Sequence, residues 1–110
     1  MVGGAGSLLT PSGVLVFESP TFPEHGKAEA GAGARTLAHL RQQSDIDWTF
    51  ISPALLFVPG ERTGRFREGQ DHLLIGEDGK SRISQEDYAL ALLDEIETPR
   101  HRGQRYTVGY

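Results

Sequence analysis

The stretch Asp47-Trp48-Thr49-Phe50-Ile51-Ser52-Pro53 constrains this chain more than any other. It is a continuous apolar and β-branched run without alternation, and a strand written that way is covered on both faces, as in a parallel sheet. Parallel neighbours need a crossover, and the preceding residues supply one. From about Ala28 to Gln43 the positions Ala30, Ala34, Leu37 and Leu40 recur at helical spacing, leaving Arg35, His39 and Gln42 for water. Gly31 and Gly33 each cost about 1 kcal/mol relative to alanine, so the first turns of this helix must be held by close packing. Ser44-Asp45 closes it. Helix followed by buried strand predicts a βαβ unit. Pro53 removes a ladder donor, so the strand ends at Ser52 and the chain turns away at the carboxyl edge of the sheet, where open α/β folds place their ligands.

The rest of the chain is consistent with one domain over residues 1–110. Leu, Ile, Val and Phe number 27 of 110, enough for a packed core. Met1 to Leu9 reads as the end of a strand followed by a glycine turn, so the chain starts in mid-element and is expected to be truncated. Val14 to Phe17 has the content of a short strand or extended segment, ended by Pro20 and Pro23. Glu61 to Gln70 is polar and arginine-rich, and His72 to Ile75 with Ser81 to Ile83 reads as a hairpin-like excursion around Asp78-Gly79. A second helix is announced by Ser84 and Asp87 as a capping box, with Ile83 placed to staple onto Tyr88. Its apolar stripe is Tyr88, Ala89, Leu92, Leu93 and Ile96; Glu86, Asp94, Glu95 and Glu97 face water, and Pro99 stops it. Arg105 to Val108 is a final strand.

Charge and composition exclude several functions. The formal net charge is −4, with −2 in each half, so no basic lobe exists to track a phosphate backbone and nucleic acid is not expected as a partner. The absence of cysteine removes disulfides, thiolate zinc sites and a cysteine nucleophile. No apolar run approaches the roughly 18 residues of a membrane span, and Met1 to Leu9 lacks a charged leader, so the expectation is a soluble, cytoplasmic protein without membrane contact. His25, His39, His72 and His101 are scattered and read as solvated surface, giving no metal site. Gly4-Ala5-Gly6 and Gly31-Ala32-Gly33 imitate a dinucleotide fingerprint, but Leu9 and Thr36 stand where its third glycine belongs. Ser7 is not in a nucleophile elbow. Arg62, Arg65 and Arg67 form a cluster able to grip a phosphate or carboxylate.

Taken in order, G-G-A-G-S-L, W-T-F-I-S-P-A, T-G-R-F, S-R-I-S-Q-E-D-Y-A-L-A-L-L-D-E-I-E and R-Y-T-V-G-Y resemble the carboxyl half of the atypical short-chain dehydrogenase/reductase family. Within it, the chain looks like the NAD(P)H-binding, NmrA-like and flavin- or biliverdin-reductase-like branch. The resemblance implies an α/β fold, a partial Rossmann-like parallel sheet with flanking helices, and NAD(P)H-dependent reduction of a small organic or flavin-like acceptor. It puts Gly3, Gly4 and Ala5 near the nicotinamide ribose, Ser52, Pro53 and Ala54 beside the nicotinamide, and Phe57 with Arg62 on the substrate side. The family's glycine fingerprint lies in an amino-terminal half outside this sequence. Its Y-x-x-x-K signature is absent as well, since Pro23 stands four residues before Lys27, which argues against a sugar-nucleotide epimerase. The rival reading is a non-catalytic remnant or interaction module that self-associates through an exposed sheet edge.

Overall fold

The computed structural model describes residues 1–20, 22–43 and 45–110. Helix α1 spans Lys27–Arg41 and leads into strand β1, Thr49–Ser52. Strands β2 (Leu56–Val58), β3 (Arg67–Gly69) and β4 (Arg82–Ser84) follow, then helix α2 (Gln85–Glu97) and strand β5 (Gln104–Gly109). The main sheet has the order β1-β5-β3, with β1 and β5 parallel and β3 antiparallel to β5. Val2 adds a single parallel bridge to Ile51 on the other side of β1. A second, parallel pair joins β2 to β4. The chain is therefore a mixed α/β fold with two helices, in which the expected parallel strands are present as β1 with β5 and β2 with β4, and β3 adds an antiparallel strand to the main sheet.

Alternation along the buried strands sorts the core into two layers. Trp48 and Phe50 pack with Leu37 of α1, and Leu40 lies against them. Ile51, Tyr106 and Val108 pack with Tyr88 and Ala91 of α2. The two helices thus cover opposite faces of one sheet, which is why the run from Trp48 to Ile51 carries no charged position and its one hydroxyl, on Thr49, is paired with the His101 carbonyl.

Several expectations need correction. Val14 to Phe17 forms no strand: Leu15 bridges only to Leu9, and Val16–Glu18 winds into a short 3-10 helix that buries Val16. The hairpin is also absent. Gly76 to Lys80 does turn, with Gly79 at φ +78° and the Gly76 amide donating to the Lys80 carbonyl, but β4 pairs with β2 and His72 bridges to Leu9 instead. The expected close of α1 at Ser44 falls outside the described residues. Ser84 is the cap of α2, accepting from the Asp87 amide at 3.0 Å; the reciprocal half of the capping box is missing, because the Asp87 carboxylate is committed elsewhere. The stripe on α2 is rotated too. Ala89, Leu93 and Ile96 are exposed, while Asp87 and Glu95 are buried.

Candidate functional site

At the carboxyl edge the chain leaves the sheet through glycines. The Gly3 amide donates to the Ile51 carbonyl at 2.8 Å, and the following residues turn toward α1. Two of these glycines are required by packing. A Cβ on Gly3 would sit 2.1 Å from the Phe50 ring, and one on Gly6 would sit 2.5 Å from the Ala30 Cβ. Gly4 is different: nothing lies within 4 Å of the Cβ it lacks, and its backbone is exposed. On α1, Gly33 likewise meets nothing and Gly31 meets only the end of Arg35 at 3.5 Å and the edge of the Phe17 ring at 4.0 Å, both ordinary contacts, so the close approach that holds this helix is at Ala30, not at the glycine pair.

These elements enclose a cleft of about 600 Å³. One wall is Gly3 to Ser7, the other is the small-residue side of α1 with Ala30 and Gly33, and Phe50 and Leu55 complete it. Of the residues singled out from sequence, Gly3, Gly4 and Ala5 line this cleft. Ser52, Pro53 and Ala54 are buried beneath the adjacent strand end. Ser52 does not emerge as its position after the apolar run suggests. Its carbonyl accepts from the Thr107 hydroxyl at 2.8 Å, and its hydroxyl lies 3.4 Å from Arg105. Phe57 packs edge-on against Tyr88 at 4.9 Å, and Arg62 is exposed on its loop; neither lines the glycine cleft.

The loop after β2 is held by the start of α2. The buried Asp87 carboxylate accepts from the Thr63 amide (3.0 Å), the Thr63 hydroxyl (2.6 Å), the Gly64 amide (2.9 Å) and the Tyr110 hydroxyl (2.5 Å). Burial alone would raise its pKa, but these donors outweigh burial and hold it below the ordinary aspartate range. Ser84 donates to the Glu61 carbonyl, and Glu86 accepts from the Gly60 amide. Beside this tether lies an open hollow of about 510 Å³ walled by Val58, Arg65, Arg82 and Tyr110. The three-arginine cluster does not converge on it, because Arg67 donates instead to the Ile75 and Tyr110 carbonyls.

Three structural anchors escape a reading of the sequence. Glu95, expected to face water, accepts from the Arg100 and His101 amides and shares a 2.7 Å hydrogen bond with the His101 ring. His101 is correspondingly not solvated surface, since its ring stacks on Tyr106 at 3.9 Å. Arg105 is buried and donates to Asp71, Ser7 and the Ser7 carbonyl. The run of Glu95, Pro99, Arg100 and His101 offers a signal for the first of these; the pairing of Arg105 with Asp71, 34 residues apart, offers none.

No protein-family model matches the chain. Among curated proteins, the uncharacterized protein YwnB of Bacillus subtilis (strain 168) is 41% identical over 111 residues, covering 98% of this chain and 52% of the relative. Solved structures match more widely. A "putative epimerase" from Bacteroides thetaiotaomicron superposes with a TM-score of 0.94 and 44% identity over 100% of this chain and 51% of that one. A "putative exported protein" from Burkholderia pseudomallei gives 0.92 and 48% over 99% and 53%. A "putative NADH-flavin reductase" from Streptococcus pneumoniae TIGR4 gives 0.89 and 39% over 98% and 53%. The chain spans about half the length of each of these relatives, and its α/β fold is theirs over that half. Among the described residues, no helix is long and apolar enough to cross a membrane.

Proposed function

We propose that this chain supplies one side of a nicotinamide-dinucleotide site and belongs to an NAD(P)H-dependent oxidoreductase that acts on a small organic or flavin-like acceptor. One observation carries the reading: a glycine-walled cleft opens at the carboxyl edge of parallel strands, and Gly4 faces it with no packing reason to be glycine. The fit is favourable on this side. Gly3, Gly4 and Ala5 would hold the cofactor through bare backbone, and Phe50 gives its ring an apolar floor. When bound, the nicotinamide supplies the hydride, and the acceptor takes a proton in addition. The protein's part is to orient and to exclude water. Ser52, Pro53 and Ala54 act from beneath, shaping the edge, while the tethered loop bearing Arg62 and the nearby Phe57 flank the acceptor.

The Streptococcus pneumoniae relative's name supports this class of reaction. The Bacteroides relative's name favours epimerisation. Reduction is the better reading here, since neither Lys27 nor Lys80 has a tyrosine four residues before it; Pro23 and Gly76 hold those places. Reduced nicotinamide is regenerated inside the cell, so the same reading places the activity in the cytoplasm.

Calorimetric titration with NADH and NADPH tests the proposal on two proteins, the chain alone and the chain fused behind the half of the Bacillus subtilis relative that it does not match. The chain alone should bind weakly or not at all, because the helix amino terminus that grips the pyrophosphate is not part of it. The fusion should bind and should consume NADH when a free flavin is added. Absence of binding in a well-folded fusion overturns the oxidoreductase reading and favours a non-catalytic module.

A further inference from the structure

The turn that follows Gly4 treats its backbone groups unevenly. Its carbonyls are taken from inside the fold: Ala5 accepts from the Leu8 amide at 3.1 Å, Gly6 from the Phe17 amide at 3.0 Å and Ser7 from the Arg105 guanidinium at 2.9 Å. Its amides are not. Among the described residues, the N–H groups of Ala5, Gly6 and Ser7 find no acceptor, although Gly6 and Ser7 are buried residues, and folded proteins rarely leave such groups unpaired. The Ser7 hydroxyl is in the same condition, since its oxygen accepts from Arg105 at 2.9 Å and its proton goes to no group among the described residues. Four donors thus stand on three consecutive residues, all of which line the glycine cleft. Successive amides in a turn make a concavity that suits an anion. The charge behind the turn agrees with this. Buried Arg105 shares the Asp71 carboxylate (3.0 Å) with Arg41 (2.7 Å), so two guanidinium groups meet one carboxylate and a positive charge is left over behind the wall. Against it stands one acidic side chain of the cleft, Glu29, exposed on α1.

We propose that the turn from Ala5 to Ser7 is an oxyanion subsite, which takes a phosphate or carboxylate group on its three amides and the Ser7 hydroxyl with the charge of Arg105 behind it. The assignment rests on the nicotinamide reading in using the same cleft, and it deepens that reading by stating what this wall recognises. A backbone that only had to be bare would leave its carbonyls and amides alike unpaired; here the acceptors are withdrawn and the donors kept. A dinucleotide offers the matching oxygens in its pyrophosphate, and an acidic acceptor offers them in its own carboxylate or phosphate.

The test titrates the chain itself with inorganic phosphate, against chloride of equal ionic strength, and follows the backbone amides by NMR. Saturable shifts at Ala5, Gly6 and Ser7 are expected, with a Kd in the millimolar range. Ser7→Ala should weaken binding about fivefold, the worth of one hydrogen bond, and Glu29→Gln should tighten it about twofold by removing the opposing charge. Where Ser7→Ala unsettles Arg105 and the fold with it, Glu29→Gln, a change at an exposed position, decides alone. A turn with a merely structural role would respond to neither. The inference fails if the three amides do not shift, if they shift without saturating, or if Glu29→Gln leaves the affinity unchanged or lowers it. The source of the oxyanion is read in the chain fused behind the unmatched half of the Bacillus subtilis relative. Phosphate that competes with NADH there assigns the turn to the pyrophosphate, and phosphate that binds beside NADH assigns it to the acceptor. A fusion that binds phosphate at the turn and ignores NADH overturns the nicotinamide reading alone; one that binds NADH without the phosphate shifts overturns this inference alone.

Discussion

The two helices cover the same sheet by opposite means. Helix α1 begins at Gly26 with no side-chain cap and buries one residue, Leu37; the structure around it is held by close approach, Gly6 against Ala30 and Gly3 against Phe50. Helix α2 is capped by Ser84 and fixed at both ends by buried carboxylates, Asp87 to the loop before it and Glu95 to the turn after it. The difference teaches a division of labour. Polar anchors make the α2 side a scaffold, whereas bare backbone makes the α1 side a surface that something can approach.

The contrast can be broken most severely at Asp87. Asp87→Ala leaves two loop amides and the hydroxyls of Thr63 and Tyr110 without this acceptor and should cost about 3 kcal/mol in urea melts. The same group predicts a pH dependence. The pKa values of Asp87 and Glu95 are both lowered on folding: burial would raise them, but the donors from Thr63, Tyr110 and Gly64 in one case, and from His101 and Arg100 in the other, prevail. Their contribution is therefore complete above the unfolded carboxylate range of about 4 and is lost as pH falls through the lower folded values. Melts repeated at descending pH should show stability falling below about pH 4, and less steeply in Asp87→Ala than in the parent.

On the other side, Gly3→Ala should cost about 2 kcal/mol, because Phe50 is fully buried and has nowhere to retreat. Ser84→Ala, which removes a cap but leaves the carboxylate anchors, should cost about 1 kcal/mol; a change under a few tenths would show that the anchors alone set the start of α2. The smallest expected effect on stability sharpens the comparison furthest. Gly4→Val should shift the melt by no more than about 0.5 kcal/mol, yet abolish NADH binding in the fused protein. If binding survives, the α1 side is merely loosely packed.

What the sequence made legible follows from range. The strand through Phe50, its stop at Ser52 and the start of α2 at Ser84 all depend on neighbours a few residues away, and each was readable. So was the glycine edge at Gly3 to Ala5. Asp87 was legible as part of a cap but not as the anchor of Thr63 and Gly64, because that contact spans more than twenty residues. Ser52 misled for a related reason: a polar side chain after an apolar run suggests exposure, and only the distant Arg105 and Thr107 make its burial acceptable. Glu95 sits in a D-E-I-E run whose charge suggests water, although the turn at Arg100 and His101 claims it.

The tether of the loop after β2 reaches beyond the fold itself. Asp87 grips Thr63 and Gly64 mainly by their amides, and Ser84 and Glu86 grip the carbonyl of Glu61 and the amide of Gly60. Any sequence presents those backbone groups, so the path of the loop is largely indifferent to what Glu61, Arg62 and Arg65 carry. On the proposed oxidoreductase reading, acceptor preference is then open to rewriting residue by residue, by selection or in the laboratory, on a frame that registers no change.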